Sequence, residues 1–147
     1  MVALDPSVAG GTHAADRLRR EEMIWITTVR GDGQPQTSAV WFHWDGTDFL
    51  LLSQPRAQKV HNLAVEPRVS LNLNGTGYGA DLVIVEGTAE VIPDYASGPW
   101  PEPARVEAYY AKYETSLREV LGSSAAEMAA AFSTALRITP TRWRVTP

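Results

Sequence analysis

The stretch MIWITTVRGDGQPQTSAVWFHWDGTDFLLLS, residues 23–53, contains three β-rich runs separated by turn signals. MIWITTVR (23–30) is β-branched and aromatic and stops at Gly31-Asp32-Gly33. Gln36–Trp44 alternates and stops at Asp45-Gly46, and Asp48–Ser53 follows. Asp-Gly between two such runs signals a hairpin, because both central positions of that tight turn need positive φ. The pattern predicts three strands in an antiparallel meander.

Beyond this stretch the period changes. Gln54-Pro55 opens a helical segment, RAQKVHNLAVE (56–66), with Val60, Leu63 and Ala64 on one face; Pro is tolerated in a first helical turn because its missing N–H has no intrahelical partner there. RVSLNLN (68–74) returns to alternation, and the glycine-rich GTGYGAD (75–81) separates it from LVIVEGTAEVI (82–92). Gly87 marks a bulge or a close approach in that strand. Val106, Tyr109, Tyr110, Tyr113, Leu117, Val120 and Leu121 recur at three and four, predicting a helix over 103–121 with a buried stripe, stopped at Gly122. A short helix capped by Ser123 or Ser124 follows, then two strand-like runs, LRIT and TRWRV, split by Pro140. At the other end, residues 1–11 read as a flexible tail, and Thr12 as the cap of a polar helix over 13–22. Six antiparallel strands with helices outside predict a small barrel forming a single domain over 12–147, since closure removes the exposed edges of short apolar strands.

Composition narrows the function classes. The chain has 147 residues, with 13 Lys+Arg against 17 Asp+Glu and a formal charge of −4. That acidity speaks against a nucleic-acid partner, which calls for a basic field. With no cysteine, disulfides, thiolate catalysis and Cys-based metal sites are excluded. No apolar run is long enough to span a bilayer, and the first residues lack a signal-peptide pattern. A cytoplasmic protein with no membrane partner is expected.

The chemistry-bearing residues are few. His13, His43 and His61 stand alone, without ligand spacing, so no metal site is expected. No motif poses a serine as a nucleophile. GTGYG lies between two strands and so lacks the helix N-terminus that phosphate loops use. Arg56 and Lys59 lie three apart at the start of the predicted helix, where cations oppose the helix dipole. A bound anion would compensate them; a solvated basic helix end is the other reading. In Val40-Trp41-Phe42-His43-Trp44, Trp41 and His43 share one face of a strand while Val40, Phe42 and Trp44 share the other. Large aromatics on both faces imply core on one side and a partner surface on the other.

The ordered set GDGQPQTSAVWFHWDG (31–46), FLLLSQPRAQKVHNLAVEPRVSLNLN (49–74) and VEGTAEVI (85–92) resembles the flavin-binding split β-barrel superfamily that includes pyridoxamine-phosphate oxidase. It is more closely similar to the actinobacterial branch that uses the deazaflavin coenzyme F420. The resemblance implies a mainly β fold, a six-stranded antiparallel split β-barrel with flanking α-helices. It also implies a homodimer with cofactor sites at the subunit interface. By position, Gln36, Thr37, Ser38, Val40 and Trp41 would lie along the ring or ribityl chain, and Ser53, Arg56, Lys59 and Asn62 would hold the phosphate end.

The implied function is an F420-dependent oxidoreductase that passes a hydride from reduced deazaflavin to a small unsaturated organic substrate. The cofactor carries the reactivity, and no acid–base residue is assigned. The alternatives are an FMN-dependent oxidase or reductase on the same barrel, or a non-catalytic binder of flavin, deazaflavin or haem. The ending RITPTRWRVTP departs from the substrate-binding terminus of the oxidase that makes pyridoxal phosphate, which speaks against that activity. Tyr78 and Trp100 would shape the substrate side, as a lid or as packing.

Overall fold

The computed structural model describes residues 1–147. The β-rich segments form seven strands: β1 (Ile24–Val29), β2 (Pro35–Val40), β3 (His43–Trp44), β4 (Phe49–Ser53), β5 (Arg68–Asn72), β6 (Val83–Ile92) and β7 (Thr134–Val145). The helices are α1 (Gly11–Arg20), α2 (Gln58–Val65), α3 (Pro103–Lys112) and α4 (Ala125–Ala131), with a π-helical turn at Ser116–Leu121. All strand pairs are antiparallel, in the order β2-β1-β5-β6-β7-β4-β3.

The sheet has seven strands, not six, because the run Gln36–Trp44 breaks at Trp41-Phe42. Its first half, β2, pairs with β1; its second half, β3, pairs with β4 across the Asp45-Gly46 hairpin. The expected three-strand meander is therefore replaced by two hairpins at opposite ends of the strand order. Two residues join these ends, and two residues can bridge only about 10 Å between flanking Cα atoms. The sheet must accordingly curl until its edges nearly meet, giving the split barrel. At the break, Tyr113 takes over from the missing strand neighbour. Its hydroxyl accepts a hydrogen bond from the Phe42 N–H at 2.8 Å and donates to the Glu22 carbonyl at 2.6 Å. Lys112 Nζ donates to the Phe42 carbonyl at 3.0 Å.

The barrel interior is filled by Ile24, Ile26, Phe42, Phe49, Leu51, Leu71, Val85, Leu136 and Ile138. A second apolar cluster lies outside it, where Leu50 and Leu52 meet Tyr109, Tyr110, Tyr113 and Leu117. This is why β4 reads FLLLS without alternation: all five residues are buried, odd ones inward and even ones under α3. The stripe on α3 continues into the π-helical turn as far as Leu117, whereas Val120 and Leu121 are exposed, contrary to the helical expectation. The π geometry changes the number of residues per turn and rotates them off the buried face. Gly122 then stops the helix with φ 59°, and Ser124 caps α4 by accepting from the Glu127 N–H.

Pro140 does not split the last strand. Gly87 pairs with Pro140 while Glu86 pairs with Arg142, so Thr141 is the extra residue of a bulge, and the irregular ladder tolerates the missing proline N–H. The Pro140 carbonyl accepts from the Val2 N–H, and Trp143 Nε1 donates to the Val2 carbonyl, so the first residues lie along β7.

Gly87 is needed at that bulge for space. A Cβ there would stand 2.8 Å from both Ile138 Cγ2 and the Thr139 carbonyl oxygen. Gly87→Ala is expected to destabilise the fold by roughly 1–3 kcal/mol, measured as a lower urea midpoint with an unchanged denaturant slope.

Candidate functional site

The end of β2, the end of β4, the start of α2, and α3 with α4 surround a cleft of ≈510 Å³. Twelve of its 16 lining residues are hydrophobic, so the cleft suits a ligand with a largely apolar body. Trp41 stands at its side because the chain turns outward at the strand break. Its indole stacks on Tyr113 with ring centroids 4.1 Å apart and planes 5° apart, which fixes the ring before anything binds.

Lys59 marks the polar end. It sits in the first turn of α2, half-buried, and forms no ion pair or hydrogen bond with the protein. Removal from water alone holds its pKa below the ordinary lysine value. The Gln58 and Lys59 backbone N–H groups have no backbone acceptor, and the first turn carries no acidic residue. An uncompensated cation, free N–H donors and the positive end of a helix dipole together match an anionic group, and the apolar cleft beside them matches a ring. These residues fit a phosphate-bearing tricyclic cofactor.

The sequence-derived residues fall into two sets. Val40, Trp41, Ser53 and Lys59 line the cleft. Gln36, Thr37, Ser38, Arg56 and Asn62 do not. Arg56 lies in the turn before α2, which starts at Gln58 rather than 56, so it does not share a helical face with Lys59. It is nevertheless exposed and free of any ion pair. Thr37 Oγ1 meets Thr27 Oγ1 at 2.8 Å on an exposed part of the sheet, and Ser38 is half-buried. Asn62 is 2% exposed and engaged internally: its amide donates to Thr28 Oγ1 and Gln36 Oε1, each at 2.9 Å, and its oxygen accepts from Gln58 at 2.9 Å. Asn62 and Gln36 thus clamp α2 to β1 and β2. They position Lys59 rather than present free polar groups to a ligand.

Tyr109, Tyr110, Met128 and Phe132 form the opposite wall. Periodicity marked Tyr109 and Tyr110 as core, and nothing in the pattern distinguished a residue that faces core from one that also borders a cleft. No group of three or more His, Asp or Glu side chains comes together in an arrangement that could hold a metal ion.

A family model described as pyridoxamine 5'-phosphate oxidase matches residues 12–147. The chain belongs to that family. An F420 reductase of solved structure is 22% identical to this family member, covering 95% of this chain and 98% of its own, with a TM-score of 0.69. The haem storage protein of Vibrio cholerae is 18% identical, covering 99% and 96%, with a TM-score of 0.62. An FAD-binding protein of Mesorhizobium loti is 19% identical, covering 90% of both chains, with a TM-score of 0.61. At these identities the likeness is one of fold.

The chain's only two lysines, Lys59 and Lys112, make the fold pH-sensitive. Burial lowers both, Lys112 to about 8, while burial raises Tyr95 and Tyr110 to about 12. Between about pH 8 and 10 the unfolded chain therefore binds more protons than the folded one, and stability rises with pH. Above pH 10 the folded tyrosines hold protons that the unfolded ones have lost, and stability falls. Urea midpoints measured from pH 7 to 11 are expected to peak near pH 10, and Lys112→Met to flatten the rising limb.

Proposed function

We propose that this protein is an F420-dependent oxidoreductase that transfers a hydride to a small unsaturated organic substrate, working as a homodimer with the cofactor at the subunit interface. The observation that carries the reading is Lys59: a half-buried cation without a counter-ion, at the mouth of an apolar cleft walled by Trp41. A half-buried ammonium with no partner is costly unless an anion is meant to join it.

In this reading Lys59, Arg56 and the first N–H groups of α2 hold the phosphate, and Ser53 lies beside them. Val40 and Trp41 receive the ring, while Gln36, Thr37 and Ser38 run back along β2 toward the partner copy. The cofactor, when bound, supplies the hydride chemistry. The chain's own residues bind, orient and keep water from the reacting face. FMN shares a phosphate and a tricyclic ring with F420 and is the alternative. The full-length likeness to an F420 reductase supports the deazaflavin, and the Vibrio haem storage protein on the same fold supports a non-catalytic binder as the rival of another class.

The dimer proposal rests on the outer face of the sheet. β2 is an edge strand with Thr37 and Ala39 exposed, and half-buried Trp25 lies directly opposite Ala39. No helix covers that row, and an edge strand with a neighbouring aromatic suits contact with a second copy. Sedimentation equilibrium is expected to give twice the chain mass; a monomer at micromolar concentration would remove the interface model.

Fluorescence titrations with F420 and with FMN test the cofactor. Tight F420 and weak FMN binding is expected, and the reverse order would move the protein to the flavin branch. Lys59→Ala should weaken binding by roughly 1.5–3 kcal/mol, about ten- to a hundredfold, with the fold unchanged. Turnover with an acceptor separates an enzyme from a binder.

A further inference from the structure

A second cavity, of ≈400 Å³, opens between α1, the β3–β4 hairpin and α3, and it shares no residue with the cleft. Arg19, His43, Trp44, Asp45, Ala108 and Lys112 line it. Arg19 is exposed and makes neither an ion pair nor a hydrogen bond. Its guanidinium carbon stands 5.1 Å from the centre of the Trp44 ring, which holds the charge against the cavity wall. Lys112 is half-buried and has no carboxylate partner; its ammonium gives one hydrogen bond, to the Phe42 carbonyl at 3.0 Å, and has N–H groups to spare. Asp45 is the one carboxylate of the lining, and it is already engaged. One of its oxygens accepts from the Thr47 and Asp48 N–H groups at 2.8 and 2.9 Å, and the other lies 3.5 Å from Arg105 Nη1.

His43 completes the set. Its Nδ1 is sealed from solvent and has no hydrogen-bond partner, so the half-exposed ring can bond a ligand only through Nε2. A sealed nitrogen without an acceptor costs less when it carries no proton, which places the proton of the neutral ring on Nε2. Burial, with Arg105 and Lys112 nearby, holds the His43 pKa below the ordinary histidine value, and Asp45 and Asp48 do not reverse this. His43 therefore offers a neutral N–H donor at neutral pH. With that ring uncharged, Arg19 and Lys112 against Asp45 leave the lining with an excess of one positive charge.

We propose that this cavity is a second ligand site, separate from the cleft, for a small organic carboxylate with a compact apolar body. The carboxylate takes the Arg19 guanidinium, the His43 Nε2–H and the Lys112 ammonium, so that two cations without partners gain one. Its apolar body lies against Ala108 and the Trp44 ring. The excess of one positive charge matches a monoanion, whereas a phosphate dianion would bring more negative charge than the lining balances, beside the carboxylate of Asp45. The site uses no cofactor and none of the residues that line the cleft, so it does not depend on the hydride-transfer reading.

The probe is benzoate, titrated into the full chain at constant ionic strength while the His43 ring Cε1–H resonance is followed by NMR. His13 and His61 line neither cavity and serve as references. The His43 signal should move saturably. Arg19→Gln, which breaks no internal hydrogen bond, should weaken the binding by about tenfold or more, the usual loss for a charge-assisted contact. Lys59→Ala should leave it unchanged, because Lys59 belongs to the other site. A His43 signal that does not move saturably overturns the proposal. So does movement that persists undiminished in Arg19→Gln or disappears in Lys59→Ala. Inorganic phosphate binding there more tightly than benzoate overturns the assignment to a carboxylate.

Discussion

The hydroxyl of Tyr113 is the joint on which the rest of the molecule turns. A strand that stops pairing in mid-run leaves backbone N–H and C=O groups without a ladder, and burying them unpaired would cost several kcal/mol. At Phe42 the chain does this, and the groups are met by Tyr113 Oη and Lys112 Nζ from α3. With those groups satisfied, the chain can cross between the two edges of the sheet. The same tyrosine ring then stacks on Trp41. One residue thus permits the barrel to curl, docks the helix that forms the far wall of the cleft, and fixes an aromatic side of the site.

Much of this was legible in the residues, and the exceptions have a common cause. β-rich runs located the strand-forming segments, Asp45-Gly46 located its hairpin, and Gly87 marked the bulge. The break at Trp41-Phe42 was not legible, because alternation persists through it: Phe42 and Trp44 still point inward and Trp41 outward. What ends the pairing is a hydrogen bond from a residue 71 positions away, and local pattern holds no trace of it. Likewise Pro140 reads as a terminator by local rules. It is absorbed because the bulge at Thr141 and the closely packed Gly87 opposite make room for it.

The site follows the same division. Lys59 stood out because a cation in a first helical turn violates a local preference, and such violations concentrate where a ligand restores the balance. Asn62 was named from the resemblance by position, and only the fold shows that Thr28, Gln36 and Gln58 engage its amide. Its contribution is rigidity, holding the helix start that carries Lys59 against β1 and β2.

The cleft is therefore polarised along its length, and that polarity bears on what it can take. Lys59 and the helix dipole supply attraction for negative charge, while α3 and α4 contribute tyrosine, methionine and phenylalanine to the lining and no cation. On the reading proposed above, an anionic substrate would be drawn to Lys59 and would compete with the cofactor's phosphate there. An uncharged substrate has no such conflict, because its body can lie against the twelve hydrophobic residues of the cleft. Charge and burial together separate the two ligands before any detail of shape is considered.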